Sequence, residues 1–318
     1  MQTVAAHVRF PGPTRRGVTD PPGRAWHSGP MAASCFEVEI TDRVAHVRLS
    51  RPDALNTMTP QFWRELPEIV TGISDDASAR VVVLSSTGRH FSAGMDLAVF
   101  GDGGSSSLGG TGVDGAGGDV EPGRRHARTR SHARVLQWSF TALEKARVPV
   151  IAAVQGGVIG GAVDLVTACD LRYATEDAFF CVQEINLGMT ADVGTLQRLG
   201  KVVPEGFARE MALTGRRVPA RRAYEMGLVQ EVYADHEALL EGVLGTAREI
   251  AAHSPLAVWG TKVAMNYARD HAVDDSLEQI ATWQAGMFSP ADMAEVFTAK
   301  LEERPPVFPE LLPEPKGL

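Results

Sequence analysis

Val150-Ile151-Ala152-Ala153-Val154 runs almost directly into Gly156-Gly157-Val158-Ile159-Gly160-Gly161-Ala162-Val163-Asp164-Leu165. Five consecutive apolar residues after Pro149 predict a short strand buried on both faces. The glycines that follow let a neighbouring backbone or a ligand approach closely. From 158 to 168 the stretch turns helical. A helix start offers free N–H groups and a positive dipole end to an anionic oxygen. The pattern matches neither G-x-G-x-x-G nor G-x-x-x-x-G-K-[ST], so a nucleotide fold is not supported. Taken alone, glycines before a helix mean tight packing.

A second small-residue stretch, His90-Phe91-Ser92-Ala93-Gly94-Met95-Asp96-Leu97, also follows a buried strand, at 81–84. Around these two, strands and helices alternate. Residues 36–40 and 44–49 read as a hairpin about Thr41-Asp42. Thr59-Pro60 starts a helix with Phe62, Leu66, Ile69 and Val70 on one face. Residues 132–146 form an amphipathic helix with Val135, Leu136, Phe140 and Leu143 inward. Residues 171–174 and 178–182 read as strands, and from about 190 to 303 the pattern is mostly helical. This rhythm predicts an α/β fold with helical decoration at its C-terminal end.

Three segments fall outside that pattern. Residues 1–30 carry four Arg and one acidic residue with no apolar periodicity, and read as a disordered leader, with a transit peptide as the alternative. Residues 101–123 hold ten Gly and too few large side chains to offset backbone entropy, which predicts a flexible loop. Five Pro between 305 and 315 make residues 304–318 a Pro-rich tail. The folded domain is therefore 31–303. Residues 124–134, with five Arg and two His, read as a solvated helix entrance, although a phosphate clamp would use the same residues.

Of the 318 residues 44% are apolar, and the net charge is −8. That charge argues against a nucleic-acid or anionic-membrane partner. No apolar run reaches the roughly 18 residues that a membrane span needs. Cys35, Cys169 and Cys181 have no metal-ligand spacing, so no metal is expected and the thiols read as buried in a reducing compartment. Arg outnumbers Lys 26 to five, which reads as the codon bias of a bacterial genome. The expected location is a bacterial cytoplasm.

Three acids sit among small and apolar residues rather than in charged runs. Asp164 lies three residues beyond Gly161, Glu184 follows a strand, and Asp192 lies in Gly188-Met189-Thr190-Ala191-Asp192-Val193-Gly194-Thr195. Any one of them could be a helix cap or an ion-pair partner. The case for a functional role rests on the three together.

These features, with Arg51-Pro52-Asp53-Ala54-Leu55-Asn56, Thr195-Leu196-Gln197-Arg198-Leu199 and Ala223-Tyr224-Glu225-Met226-Gly227-Leu228-Val229, carry a resemblance to the enoyl-CoA hydratase/isomerase (crotonase) superfamily over about 31–303. Residues 163–180, 189–199 and 259–283 most resemble its Δ3,5-Δ2,4-dienoyl-CoA isomerase branch. The resemblance implies an α/β superhelix of ββα repeats with a helical C-terminal trimerisation region, assembled as a trimer or dimer of trimers. It implies an acyl-CoA thioester substrate and no separate cofactor, since the CoA is part of the substrate.

The resemblance further implies an oxyanion hole of the Ala93 and Gly161 N–H groups. Ser92, Ala93, Gly94, Met95, Asp96 and Gly161 would line the substrate site. Glu184 would serve C2, Asp192 would serve C6, and Asp164 would stand between them. Such clustered acids share protons and titrate together. Asp at 164, and an acid at 192 where hydratases of the superfamily have glycine, favour the isomerase. Ala162 departs from the usual glycine triplet. The alternatives are an enoyl-CoA hydratase and a non-catalytic or RNA-binding protein of the same fold.

Overall fold

The computed structural model describes residues 34–96 and 121–316. The expected leader (1–30) and residues 101–120 of the glycine-rich stretch lie outside the described residues. Strands β1 (Phe36–Thr41) and β2 (Val44–Leu49) pair antiparallel, with Thr41 opposite Val44. Asp42 and Arg43 turn the hairpin with φ of 51° and 66°, the left-handed conformation that two-residue hairpin turns require.

The strands that follow are β3 (Val81–Ser86), β4 (Val150–Val154), β5 (Gly157–Ile159), β6 (Leu171–Thr175), β7 (Phe179–Cys181), β8 (Val218–Pro219) and β9 (Glu231–Tyr233). The helices are α1 (Pro60–Asp75), α2 (Pro122–Lys145), α3 (Gly161–Thr167), α4 (Thr195–Val202), α5 (Glu205–Thr214), α6 (Ala220–Glu225), α7 (His236–Ala251), α8 (Pro255–Asp270), α9 (Val273–Met287) and α10 (Pro290–Leu301). Six strands form one sheet in the order β1-β2-β3-β4-β6-β9, parallel from β2 onward. A three-stranded sheet, β5-β7-β8, stands apart from it.

The continuous apolar runs of β3 and β4 are buried on both faces. Val82, Leu84, Val150 and Ala152 enter the main core, while Val81, Val83, Ile151 and Ala153 pack under Leu239, Val243 and Ala247 of α7. Side chains of period two are sorted in this way when helices cover both sides of a parallel sheet.

Thr59 caps α1 through Phe62 N, and Pro60 follows it. Pro67, inside α1, lacks the N–H that Trp63 O would otherwise accept. The buried Ser139 hydroxyl of α2 donates to that carbonyl at 2.9 Å instead.

Several expectations are corrected. Helix α2 begins at Pro122, capped by the Glu121 carboxylate, so the glycine-rich loop does not extend to 123. Val135 points to solvent at 60% exposure, whereas Leu136, Phe140 and Leu143 are buried. Residues 157–159 are strand before the chain turns helical at 161. The short strands β8 and β9 sit in a region read as helical.

The C-terminal segment is not a free tail. Phe308 is buried, and Arg80 binds Glu310 through Nε (2.7 Å) and Nη2 (2.8 Å) while donating to Phe308 O and Ala251 O. Arg147 donates to Leu312 O and Ser74 O and pairs with Glu314 at 3.1 Å.

Cys35, Cys169 and Cys181 are buried and unpaired, and burial pushes the Cys169 thiol up to about 12. No helix among the described residues is long and apolar enough to cross a membrane.

Candidate active site

Three separated stretches are stitched into one frame. Asn56 is buried in a left-handed turn. Its side chain accepts from Arg51 N and donates to Thr87 O and His90 O. The Ser92 hydroxyl donates to Asn56 O at 2.8 Å and accepts from Gly94 N. Met58 N donates to Gly94 O, and Ile159 N donates to Ser92 O. Gly94 has φ +83°, and a Cβ there would lie 2.5 Å from Ile159 O and 3.4 Å from Gly161 N. Only glycine brings the 92–96 backbone against the start of α3 in this way.

This frame corrects two of the expected site residues. The Ala93 N–H donates to Leu55 O at 3.0 Å, so it is turned into the protein and not towards a ligand. The Met58–Met95 bridge uses Gly94 O and Asp96 N and leaves the Met95 N–H between them without an acceptor among the described residues. Ser92 is fully enclosed and braces the turn. Asp96 accepts from Thr57 Oγ1 at 2.7 Å.

On the other side of the frame, Gly160 caps α3 with φ 55° and ψ −125°, and its N–H donates to Cys181 O. Gly161 is the first residue of α3, so its N–H has no intrahelical acceptor. Met58 Sδ and the Trp63 ring stand over Gly161, where a Cβ would meet the sulfur at 3.0 Å. The sequence singled out neither Met58 nor this face of Trp63, because apolar residues in a strand-helix chain read as core.

Asp164 and Glu184 lie at the start of α3, and Asp192 acts on Glu184. Asp164, in the first turn of α3, is fully buried. Its Oδ1 accepts from Thr195 N, the first N–H of α4, and its Oδ2 has no partner. Burial, reinforced by the negative Glu184, pushes the Asp164 carboxyl up to about 7, against the pull of Thr195 and Arg198. Glu184 lies in a 3-10 turn (Gln183–Leu187) that follows β7. A Cβ on Gly160 would lie 3.1 Å from Glu184 Oε1, and Glu184 Oε2 is buried without a partner. Burial raises the Glu184 pKa, as does the negative Asp192.

Asp192 is exposed and does not cap α4, whose cap is Gly194. Its carbonyl accepts from Gln137 of α2 at 2.8 Å. The acids therefore form a graded row: one enclosed, one half-buried and one open to solvent.

Two further polar side chains are structural. His90 Nδ1 accepts from Gly157 N, so the ring supports the frame, and Phe91 is buried beside it. Lys262 is buried within the chain, on Asp170, Leu143 O and Val148 O. No group of three or more His, Cys, Asp or Glu among the described residues is arranged to hold a metal ion.

The model of the family Enoyl-CoA hydratase/isomerase matches residues 39–311. Mitochondrial Delta(3,5)-Delta(2,4)-dienoyl-CoA isomerase of Mus musculus is 42% identical over 267 residues, covering 82% of this chain and 77% of that protein. The peroxisomal enzyme of the same name from Arabidopsis thaliana is 38% identical over 268 residues, covering 84% and 93%. A solved enoyl-CoA hydratase from Bacillus anthracis superposes with a TM-score of 0.75 at 28% identity, covering 86% of this chain and 99% of that one. The expected bacterial cytoplasm is overturned here, since the two isomerases are proteins of mitochondria and peroxisomes.

Proposed function

The chain belongs to the enoyl-CoA hydratase/isomerase family, and from that premise we propose that it converts 3,5-dienoyl-CoA to 2,4-dienoyl-CoA in unsaturated fatty-acid oxidation. One observation carries this reading: Asp164 and Glu184 each bring a buried, unpartnered carboxylate oxygen to the start of α3, where the Gly161 N–H has no intrahelical acceptor, and a third acid, Asp192, acts on Glu184.

In this reading the thioester oxygen accepts from Gly161 N–H and from Met95 N–H, which replaces Ala93. Each such donor contributes about 2.7–4 kcal/mol to stabilising an enolate. The Glu184 carboxylate removes a proton from C2, and the electron pair moves onto the thioester oxygen. The resulting dienolate collapses by taking a proton at C6 from the Asp192 carboxyl. Both double bonds shift by one position, and no atom is lost or gained. Asp164, with its carboxyl raised to about 7, holds or releases the proton that resets the pair near neutral pH. These steps draw on no metal or cofactor beyond the CoA of the substrate.

Assembly as a trimer, or a dimer of trimers, belongs to the same reading. Met265, Val273, Leu277, Phe297 and Leu301 of α8–α10 are exposed, a run of apolar surface on consecutive helices that a second copy would cover. A groove of about 580 Å³ between α8 and α9, lined by Tyr267, Trp283 and Met287, opens on that side.

The test is to supply 3,5-dienoyl-CoA in water enriched in 18O and follow the conjugated product by ultraviolet absorbance. Conjugated product without solvent oxygen supports the isomerase. No conjugated product, with rapid 18O incorporation from a 2-enoyl-CoA, establishes a hydratase instead.

A further inference from the structure

Arg198 on α4 touches neither Gly161 nor a carboxylate of the pocket at hydrogen-bond distance, yet it is built into the loop that carries Asp192. Its guanidinium crosses Gly194, where a Cβ would collide with Nη1. Gly194 itself has φ +138°. Nη1 donates to Val193 O at 3.4 Å, and Nη2 donates to Glu144 Oε2 at 2.7 Å and Thr141 Oγ1 at 3.1 Å. Glu144 is fixed in turn from α8, where Arg269 binds its other oxygen at 2.7 Å and Asn266 holds its carbonyl. Both side chains of the Arg198–Glu144 pair are 11% exposed, so little solvent screens it. Immediately after this loop, Thr195 N binds Asp164. One buried ion pair thus anchors the segment that presents Asp192 on one side and grips Asp164 on the other.

We infer that Arg198 is a positioning residue: clamped by Glu144 and arched over Gly194, it fixes residues 192–195 and so sets Asp192 and Asp164 relative to Glu184. This rests on the isomerase reading for its kinetic consequence alone. The charged groups that reach Asp164 are Glu184, from the turn after β7, and Arg198, from α4; Asp192 acts on Glu184, and Arg198 and Arg269 both act on Glu144. Arg198 also favours the ionised Asp164. Removing it should leave the pocket more negative and its carboxylates harder to ionise.

The experiment uses Arg198→Met, Arg198→Lys and Glu144→Gln in the full chain. Carboxylate titration by 13C NMR is read without substrate, and kcat and KM are read with 3,5-dienoyl-CoA. Arg198→Met should move the highest-titrating carboxylate to higher pH. It should also lower kcat on the order of 10²-fold, with KM nearly unchanged and the acidic limb of the rate profile moved the same way. Arg198→Lys should restore the titration but only part of kcat, because it keeps the charge and loses the fork. If Arg198→Met does not fold, Glu144→Gln should still lower kcat by a smaller factor.

Wild-type titration and wild-type kcat per folded molecule in Arg198→Met, or unchanged kcat in Glu144→Gln, overturn the inference. A wild-type protein that does not isomerise the dienoyl-CoA overturns the isomerase reading instead, and the titration still tests Arg198.

Discussion

Buried charge is handled in opposite ways at two places in this molecule. Beneath the C-terminal segment, Arg80 and Arg147 have every guanidinium nitrogen aimed at an acceptor. In the pocket, Asp164 and Glu184 each keep a buried oxygen with no partner. Burying an ion is costly in both places. At the first, hydrogen bonds and ion pairs offset the cost. At the second, the cost is left standing and appears as raised carboxyl pKa values. Satisfied ions hold the fold together, and unsatisfied ones are ready to exchange protons.

The strongest way to break this contrast is to neutralise the pocket acids. Glu184→Gln and Asp192→Asn should each lower kcat by about 10²–10⁴-fold, with acyl-CoA binding retained and the melting temperature unchanged or raised. A lowered melting temperature with normal turnover per folded molecule would make these acids structural, like the arginines. The converse substitutions come next. Arg80→Met or Arg147→Met should cost about 2–4 kcal/mol of stability, because carbonyls of the C-terminal segment lose charged donors. Urea unfolding would read that loss, and kcat per folded molecule should not change.

The contrast was only half visible in the sequence. The acids were legible because Asp164, Glu184 and Asp192 are polar intrusions among small apolar residues. The strands β3 and β4 were legible because both faces are apolar. Arg80 and Arg147 look like ordinary surface charges, since each takes an acceptor from the C-terminal segment more than 160 residues away in the chain. The start of α2 was hidden because its first three turns are Arg-rich and solvated, so no apolar period marks them. Strands β8 and β9 are two and three residues long, too short to show alternation. The Ala93 assignment failed for a related reason. Which N–H is free depends on the left-handed turn at Leu55 and Asn56, which brings Leu55 O to Ala93 N.

A pH series sharpens the contrast from the side of stability. The Asp164 carboxyl is raised from 3.8 to about 7, so between these values the folded state holds a proton that the unfolded chain has lost. Its contribution is fully present below the unfolded pKa and is lost as pH rises through about 7. The slope is on the order of 1.4 kcal/mol per pH unit for one group. Asp164→Asn keeps an oxygen for Thr195 N and removes the titration. Its melting temperature relative to the natural protein should therefore climb from pH 4 to pH 7 and then level off. A difference that stays flat with pH would mean that Asp164 is ionised in the fold.

The smallest test concerns a neutral group treated like the arginines. Pro67 leaves Trp63 O without its helical donor, and Ser139 supplies one from α2. Ser139→Ala should therefore strand a buried carbonyl and cost about 1–3 kcal/mol. Pro67→Ala restores an N–H in the right register, so in the Ser139→Ala background it should recover part of that loss. In the natural background the carbonyl already has a donor, and the same change should gain less. The coupling between the two substitutions, read from a double-mutant cycle in urea, isolates this one acceptor. Zero coupling would mean that Trp63 O tolerates burial unpaired. An unpartnered oxygen, as on Asp164, would then no longer by itself mark a place where chemistry is done.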